Sequence, residues 1–150
     1  MIGTYYRLSL ADEDVGTDKT ESNSIQGQRG LVEGYIMVRP ELAAEPRQED
    51  VDDGYSGTST SRPAFQRLIQ DAQDSKIKTI IVKDFSRFAR DYIEAGDYME
   101  RIFPLLGVRF ISVNDGYDSG MQAGNDVRGL EVAIKNIINA SYSRDLSAKI

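Results

Sequence analysis

Along this 150-residue chain, short runs of two-residue period alternate with longer runs of helical period. Ile2 to Ser9 alternates, with Tyr6 and Leu8 facing one way and Tyr5, Arg7 and Ser9 the other, as in a strand. After a polar, acidic stretch from Asp12 to Glu21, Asn23 with Gln26 three residues later forms a capping-box-like start. Ile25, Gln28, Leu31, Val32, Tyr35 and Ile36 then fall at helical spacing, and the helix is expected to stop before Pro40. Leu42 to Val51 predicts a second strand, and Asp52 to Ser61 a loop rich in glycine and hydroxyls. Arg62-Pro63 opens a helix that turns Phe65, Leu68, Ile69 and Ala72 inward. Thr79 to Val82 reads as a buried strand, Arg87 to Leu105 as a helix and Val108 to Val113 as a strand. A glycine-rich loop is expected over Asn114 to Asn125. From Asp126 a last helical pattern runs through Val127, Leu130, Ile134, Ile137 and Ile138. Tyr142, Leu146 and Ile150 extend it with no Gly or Pro to end it. Such alternation predicts an α/β fold with a mostly parallel central sheet flanked by helices in three layers. Residues 1–140 are expected to form one domain, and 141–150 the cut start of a long helix.

Composition narrows the chemistry. The chain has no Cys and no His, so disulfides, thiolate nucleophiles, imidazole bases and Cys or His metal ligands are excluded. An enzyme built from it must work with carboxylates, Lys, Arg, Tyr, Ser, Thr or a bound metal. Lys plus Arg is 18 against 24 Asp plus Glu, a formal net charge of −6, which argues against a free-standing nucleic-acid binder. A catalytic module delivered to nucleic acid by another part stays open. There is no signal pattern and no apolar run near the length of a membrane span, so a cytoplasmic chain without membrane contact is expected.

In an open α/β sheet, ligands bind beyond the carboxyl ends of the strands. Those ends bring forward Arg7 and Ser9, the segment Asp53 to Arg62, and Ser86, Arg87 and Arg90. Arg7 and Ser9 leave one face of a strand roughly 6.6 Å apart. Arg87 and Arg90 share a helix face. Guanidinium groups converging on a hydroxyl suit a phosphate, because the planar fork matches its oxygens bidentately. Fixed cations would stabilise the charge gained when an alkoxide attacks a phosphodiester, and would activate the serine. Each residue also has an ordinary use. Ser9 serves as a turn residue, Arg7 as a snorkelling edge residue, and Arg90 as a surface partner of Glu94. Gln28 would ordinarily face solvent. The hydroxyl-rich loop serves as a connector, and its Ser56 is a rival nucleophile.

Together these segments resemble the serine recombinases: resolvases, invertases and large serine integrases. Tyr5-Tyr6-Arg7-Leu8-Ser9 resembles the family's Tyr-x-Arg-x-Ser opening, and Ser24-Ile25-Gln26-Gly27-Gln28 its Ser-Leu-x-x-Gln segment. Asp53-Gly54-Tyr55-Ser56-Gly57 followed by Arg62-Pro63 is similar to its Asp-x-x-Ser-Gly…Arg-Pro stretch. The run from Val82 to Arg90 resembles its Val-Lys-x-Leu-Asp/Ser-Arg-Leu-x-Arg block, and Arg144 falls where members carry an Arg at the start of their long helix. The resemblance implies a resolvase-like catalytic domain, with Ser9 as the nucleophile that forms a phosphoserine bond to a DNA 5′ end. It implies Arg7, Arg62, Arg87 and Arg90 as phosphate ligands, Gln28 and Asp53 as residues that hold the site, and Ser56, Ser86 and Arg144 as secondary contacts. Small resolvases have Asp at the place of Ser86, so Ser here resembles the large-serine branch. Implied too are double-stranded DNA bound through a C-terminal part, self-association to a dimer and a synaptic tetramer, and no cofactor or metal. The rivals are a flavodoxin-like or receiver-type signalling domain and a non-enzymatic assembly domain.

Overall fold

The computed structural model describes residues 1–8, 23–52, 62–89 and 91–120. Among the described residues, five strands form one sheet: β1 (Ile2–Arg7), β2 (Arg47–Asp52), β3 (Thr79–Val82), β4 (Arg109–Ser112) and β5 (Tyr117–Asp118). Their spatial order is β2-β1-β3-β4-β5. The first four pair in parallel, and β5 closes the edge antiparallel to β4. Helices α1 (Asn23–Met37) and α2 (Pro40–Ala43) lie between β1 and β2, and α3 (Pro63–Gln73) between β2 and β3. Between β3 and β4 run α4 (Phe85–Phe88), α5 (Tyr92–Asp97), a π-helical turn (Tyr98–Ile102) and α6 (Phe103–Leu106). The expected mostly parallel α/β sheet with flanking helices is therefore present.

Period-two alternation builds a core on each face. Tyr5, Ile80, Val82 and Phe110 pack with Phe65 and Leu68 of α3 and with Phe85, Phe88 and Phe103. Ile2, Tyr6, Ile81 and Ile111 pack on the other face with Ile25, Val32 and Ile36 of α1. Covered on both faces, β3 is apolar along most of its length and all four of its residues are buried. The opposite facing of Tyr5 and Tyr6 agrees with the sequence pattern. Gly3 lies where α3 comes closest to β1: a Cβ there would stand 2.7 Å from Leu68 Cδ1 and 2.9 Å from Ile77 Cδ1. Gly3→Ala is expected to destabilise the domain by about 1–3 kcal/mol through overpacking, read as a lower urea midpoint. An unchanged midpoint would show that the interface yields.

Four expectations need correction. Leu42 belongs to the one-turn helix α2, which Pro40 opens at its first position, and the second strand starts only at Arg47. That strand runs on to Asp52, a residue expected in the loop. The single helix expected from Arg87 to Leu105 is interrupted after Phe88. Asp84 caps α4 and Asp91 caps α5, each accepting an N–H three residues on. Farther along, the Phe103 N–H reaches back to the Tyr98 carbonyl just before Pro104, which has no N–H to give a regular helix. Finally, part of the expected loop after Asn114 is the strand β5. Gly116, at φ 63°, completes a tight turn, and Arg109 binds Asp118 across the hairpin at 2.6 Å. The last helical pattern from Asp126 and the helix start at 141–150 lie outside the described residues.

Candidate functional site

The carboxyl ends of β1, β2 and β3 meet α4 and the start of α3, and the contacts there are mostly polar. Leu8 donates its N–H to the Asp52 carbonyl on the β2 side at 3.2 Å. Arg7, one residue earlier, therefore turns its backbone toward the β3 side, where β3 pairs only with residues 2–4 of β1. Gln28 fills the gap. Its Oε1 accepts from the Arg7 N–H at 3.3 Å, and its Nε2 donates to the Arg7 carbonyl at 3.0 Å and to Ser24 Oγ at 3.1 Å. The side chain is fully buried and takes the place of a missing strand neighbour. Gln28→Leu should leave both Arg7 backbone groups unpaired, each orphan costing about 1–3 kcal/mol in denaturant unfolding. A loss under about 0.5 kcal/mol, the range of neutral surface changes, would dismiss this strand-end clamp.

The Arg7 side chain leaves on the α3 face and spends its donors on α4. Nε donates to the Arg87 carbonyl at 3.2 Å, and Nη2 to the carbonyls of Ser86 and, at 3.3 Å, Ala89. Arg62 takes the remaining carbonyl of this run, with Nη1 on Phe88 at 2.9 Å. Two guanidinium groups thus satisfy four consecutive carbonyls, Ser86 to Ala89, at the C-terminal end of a one-turn helix, where cations are favoured. Arg62 also pairs with Glu94 at 2.7 Å and lies over the Phe65 ring at 3.9 Å. Burial lowers the Arg7 pKa from its ordinary value, and the nearby Arg62 and Arg87 charges press the same way. Three arginines therefore converge on one strand end.

The other end of α4 is held by carboxylates. Asp84 Oδ1 accepts from the Arg87 N–H at 3.0 Å and from Ser86 Oγ at 2.6 Å. Asp115 Oδ2 accepts from the Phe85 N–H at 2.8 Å and from Ser112 Oγ at 2.6 Å. Burial pushes the Asp115 carboxyl up, against the pull of both bonds. Beneath, Phe88 packs on Phe65 and Phe110 with ring centroids 5.2 and 4.9 Å away. A single helical turn is marginal by itself, so these caps and this aromatic floor fix α4 and, with it, the segment bearing Arg87.

Of the residues singled out in the sequence, Arg7, Gln28, Arg62, Ser86 and Arg87 come together here. Ser9, Asp53, Ser56, Arg90 and Arg144 lie outside the described residues. Gln28 does not face solvent, contrary to its ordinary reading, because the end of β1 needs its carboxamide. Sequence reasoning missed Asp52, Asp84 and Asp115, and it named Glu94 only beside Arg90, whereas Glu94 pairs with Arg62. For Asp52 a signal existed: Arg62 before Pro63 is a poor N-cap, so α3 needs an acceptor from elsewhere. Among the described residues, no group of three or more acidic side chains is arranged to hold a metal ion, and no helix is long and apolar enough to cross a membrane.

The order 2-1-3-4-5 is shared with flavodoxin-like sheets, so the fold alone does not separate a recombinase from a receiver-type domain. A family model described as "Resolvase, N terminal domain" matches residues 2–148. The chain belongs to the resolvase family. This resolvase domain is similar in structure to the N-terminal catalytic domain of TP901-1 integrase, with a TM-score of 0.62, 24% identity and 97% of each chain covered. It is similar to a resolvase family site-specific recombinase from Streptococcus pneumoniae, with a TM-score of 0.66 and 22% identity over 97% of this chain and 92% of that one. A third likeness is to the C-terminal catalytic domain of ISC1926 TnpA, an IS607-like serine recombinase, at a TM-score of 0.51, 16% identity, and 87% and 74% coverage. All three are below 25% identity and speak to the fold of the resolvase domain. No curated protein matches the chain.

Proposed function

We propose that this resolvase domain performs site-specific recombination of double-stranded DNA through a serine-linked intermediate. The observation that carries the reading is the convergence of Arg7, Arg62 and Arg87 at the end of the strand that leads into Ser9, in a chain of the resolvase family. Ser9 Oγ attacks a backbone phosphorus and the P–O3′ bond breaks. The serine gives up its proton, the departing O3′ gains one, and the DNA 5′ end stays joined to Ser9. One ester replaces another, so the step is near balance and runs backward on a new 3′ hydroxyl to complete strand exchange.

The described contacts suggest a division of labour among the arginines. Arg7 and Arg62 bind the α4 carbonyls and so fix the turn that presents Arg87 and leads into Arg90. Their charges also raise the local potential where negative charge develops. Gln28 keeps the end of β1 in place, and Ser86 is oriented by Asp84. Asp53 holds the site together with Gln28, and Ser56 and Arg144 complete it as secondary groups. Because arginines supply the positive charge, the reaction is expected to proceed in the presence of chelator. A part C-terminal to this domain is proposed to grip the DNA, with a dimer and a synaptic tetramer as the working assemblies.

Covalent capture tests this reading. The full protein is incubated with fragmented genomic DNA of its source, quenched with detergent, and the protein-linked DNA sequenced. Linkage to 5′ ends at one recurring site is the expected result. An absence of covalent adducts would remove the proposed chemistry.

A further inference from the structure

One carboxylate touches both halves of this site. The Asp52 side chain accepts from the Ala64 N–H at 2.9 Å through Oδ1, and from the Phe65 N–H at 3.0 Å and the Tyr5 hydroxyl at 2.7 Å through Oδ2. Its backbone carbonyl holds the N–H of Leu8, the residue before Ser9, and its Cα pairs in register with Arg7. Pro63 has no N–H, so the first amides α3 offers are those of Ala64 and Phe65, and Asp52 takes both. Arg62, which stands at the cap position, gives no side-chain cap bond and sends its guanidinium to Phe88 and Glu94 instead. The ring beneath that guanidinium belongs to Phe65, one of the two residues Asp52 holds. The start of α3, and with it Arg62, is therefore indexed from β2 onto β1.

We infer that Asp52 is a positioning residue for strand cleavage, setting Arg62, at the cap of α3, against the end of β1 that leads into Ser9. The inference rests on the function proposed above. Asp52 needs no contact with DNA for this role, because its carboxylate acts through Arg62 by holding the start of α3. An ordinary helix cap would stabilise α3 equally well from a residue next to it. A cap supplied from the end of the preceding strand also fixes where the helix begins relative to the sheet. Burial and the Asp52 carboxylate hold the Tyr5 phenol well above its usual range, so Tyr5 remains a neutral donor throughout the working pH range. Asn at position 52 would keep one acceptor but set an amide donor against either the Phe65 N–H or the Ala64 N–H.

The test uses the full protein and a duplex carrying the site recovered by covalent capture. Asp52→Asn is expected to bind that duplex within about twofold of the parent yet form the covalent adduct at least about tenfold more slowly, as small misplacements of catalytic groups are costly. The double variant Asp52→Asn/Arg62→Lys is expected to be no slower than Arg62→Lys alone, because both act on one guanidinium. Effects that multiply, or an Asp52→Asn rate within twofold of the parent, would overturn the inference while the parent's adduct keeps the function standing. Should Asp52→Asn fail to fold, Asp52→Glu retains the charge and displaces α3 by one methylene. A severalfold slower adduct supports the role there, and a parental rate overturns it. A parent that forms no adduct overturns both the function and this inference.

Discussion

Ser9→Ala in the full protein is expected to abolish covalent attachment to DNA 5′ ends while leaving DNA binding and synapsis intact. The chain leading into Ser9 is fixed on every side: the Arg7 backbone by Gln28, the Arg7 side chain by the α4 carbonyls, and the Leu8 N–H by Asp52. Nucleophilic attack depends on an oxygen held close to and in line with phosphorus, and a strand end clamped in this way suits that demand. Ser56 stands in sequence between Gly54 and Gly57, before four further hydroxyl residues, Thr58 to Ser61. Such a composition offers freedom where precision is needed, so Ser56→Ala should only slow cleavage. Attachment is read after a denaturing quench, with and without chelator. Adducts that persist in Ser9→Ala would transfer the nucleophile elsewhere, and adducts lost from the parent with chelator would call for a metal.

Arg7→Lys should keep the fold and DNA binding yet lose cleavage by about a hundredfold, the usual consequence of a small misplacement of the catalytic groups that Arg7 helps to position. Guanidinium and ammonium differ in shape as well as in charge spread. The planar group of Arg7 reaches the carbonyls of Ser86, Arg87 and Ala89 from two nitrogens at once. A lysine ammonium offers three donors from one atom, on a stem without the Nε contact. It would leave part of the α4 carbonyl run to water and let the turn that presents Arg87 drift. Single-turnover adduct formation separates this from weakened binding. A near-parental rate would show that a point charge suffices at this position.

Several elements follow from the chain's own short-range pattern. β1, with Tyr5 and Tyr6 on opposite faces, is legible as alternation, and α1 as apolar residues at helical spacing that end before Pro40. β3 is legible as an apolar run too short for a helix, and α3 as a helix opened by proline. The sequence also marks Arg7, Gln28, Arg62 and Arg87 as residues of one site, through motifs and through the rule that strand ends carry ligands. These readings succeed because side-chain period and N-terminal proline act within a few residues of themselves.

The partners of those residues were decided only in three dimensions. Arg62 meets Glu94, 32 residues away, and Arg7 meets carbonyls about 80 residues away. Asp52 caps a helix that begins 11 positions later, at Pro63. No period encodes such pairs. They exist because β1 lies between β2 and β3, which delivers the starts of α3 and α4 to the same strand end. The same cause splits the long helix after Phe88: the carbonyls of residues 86–89 find guanidinium donors there that a continuing helix would have had to supply from its own backbone. Sequence alone determined which residues carry charge and which way each strand faces. The order of the strands decided what each charge touches, because a carbonyl or carboxylate held at hydrogen-bond distance outweighs whatever lies nearby along the chain.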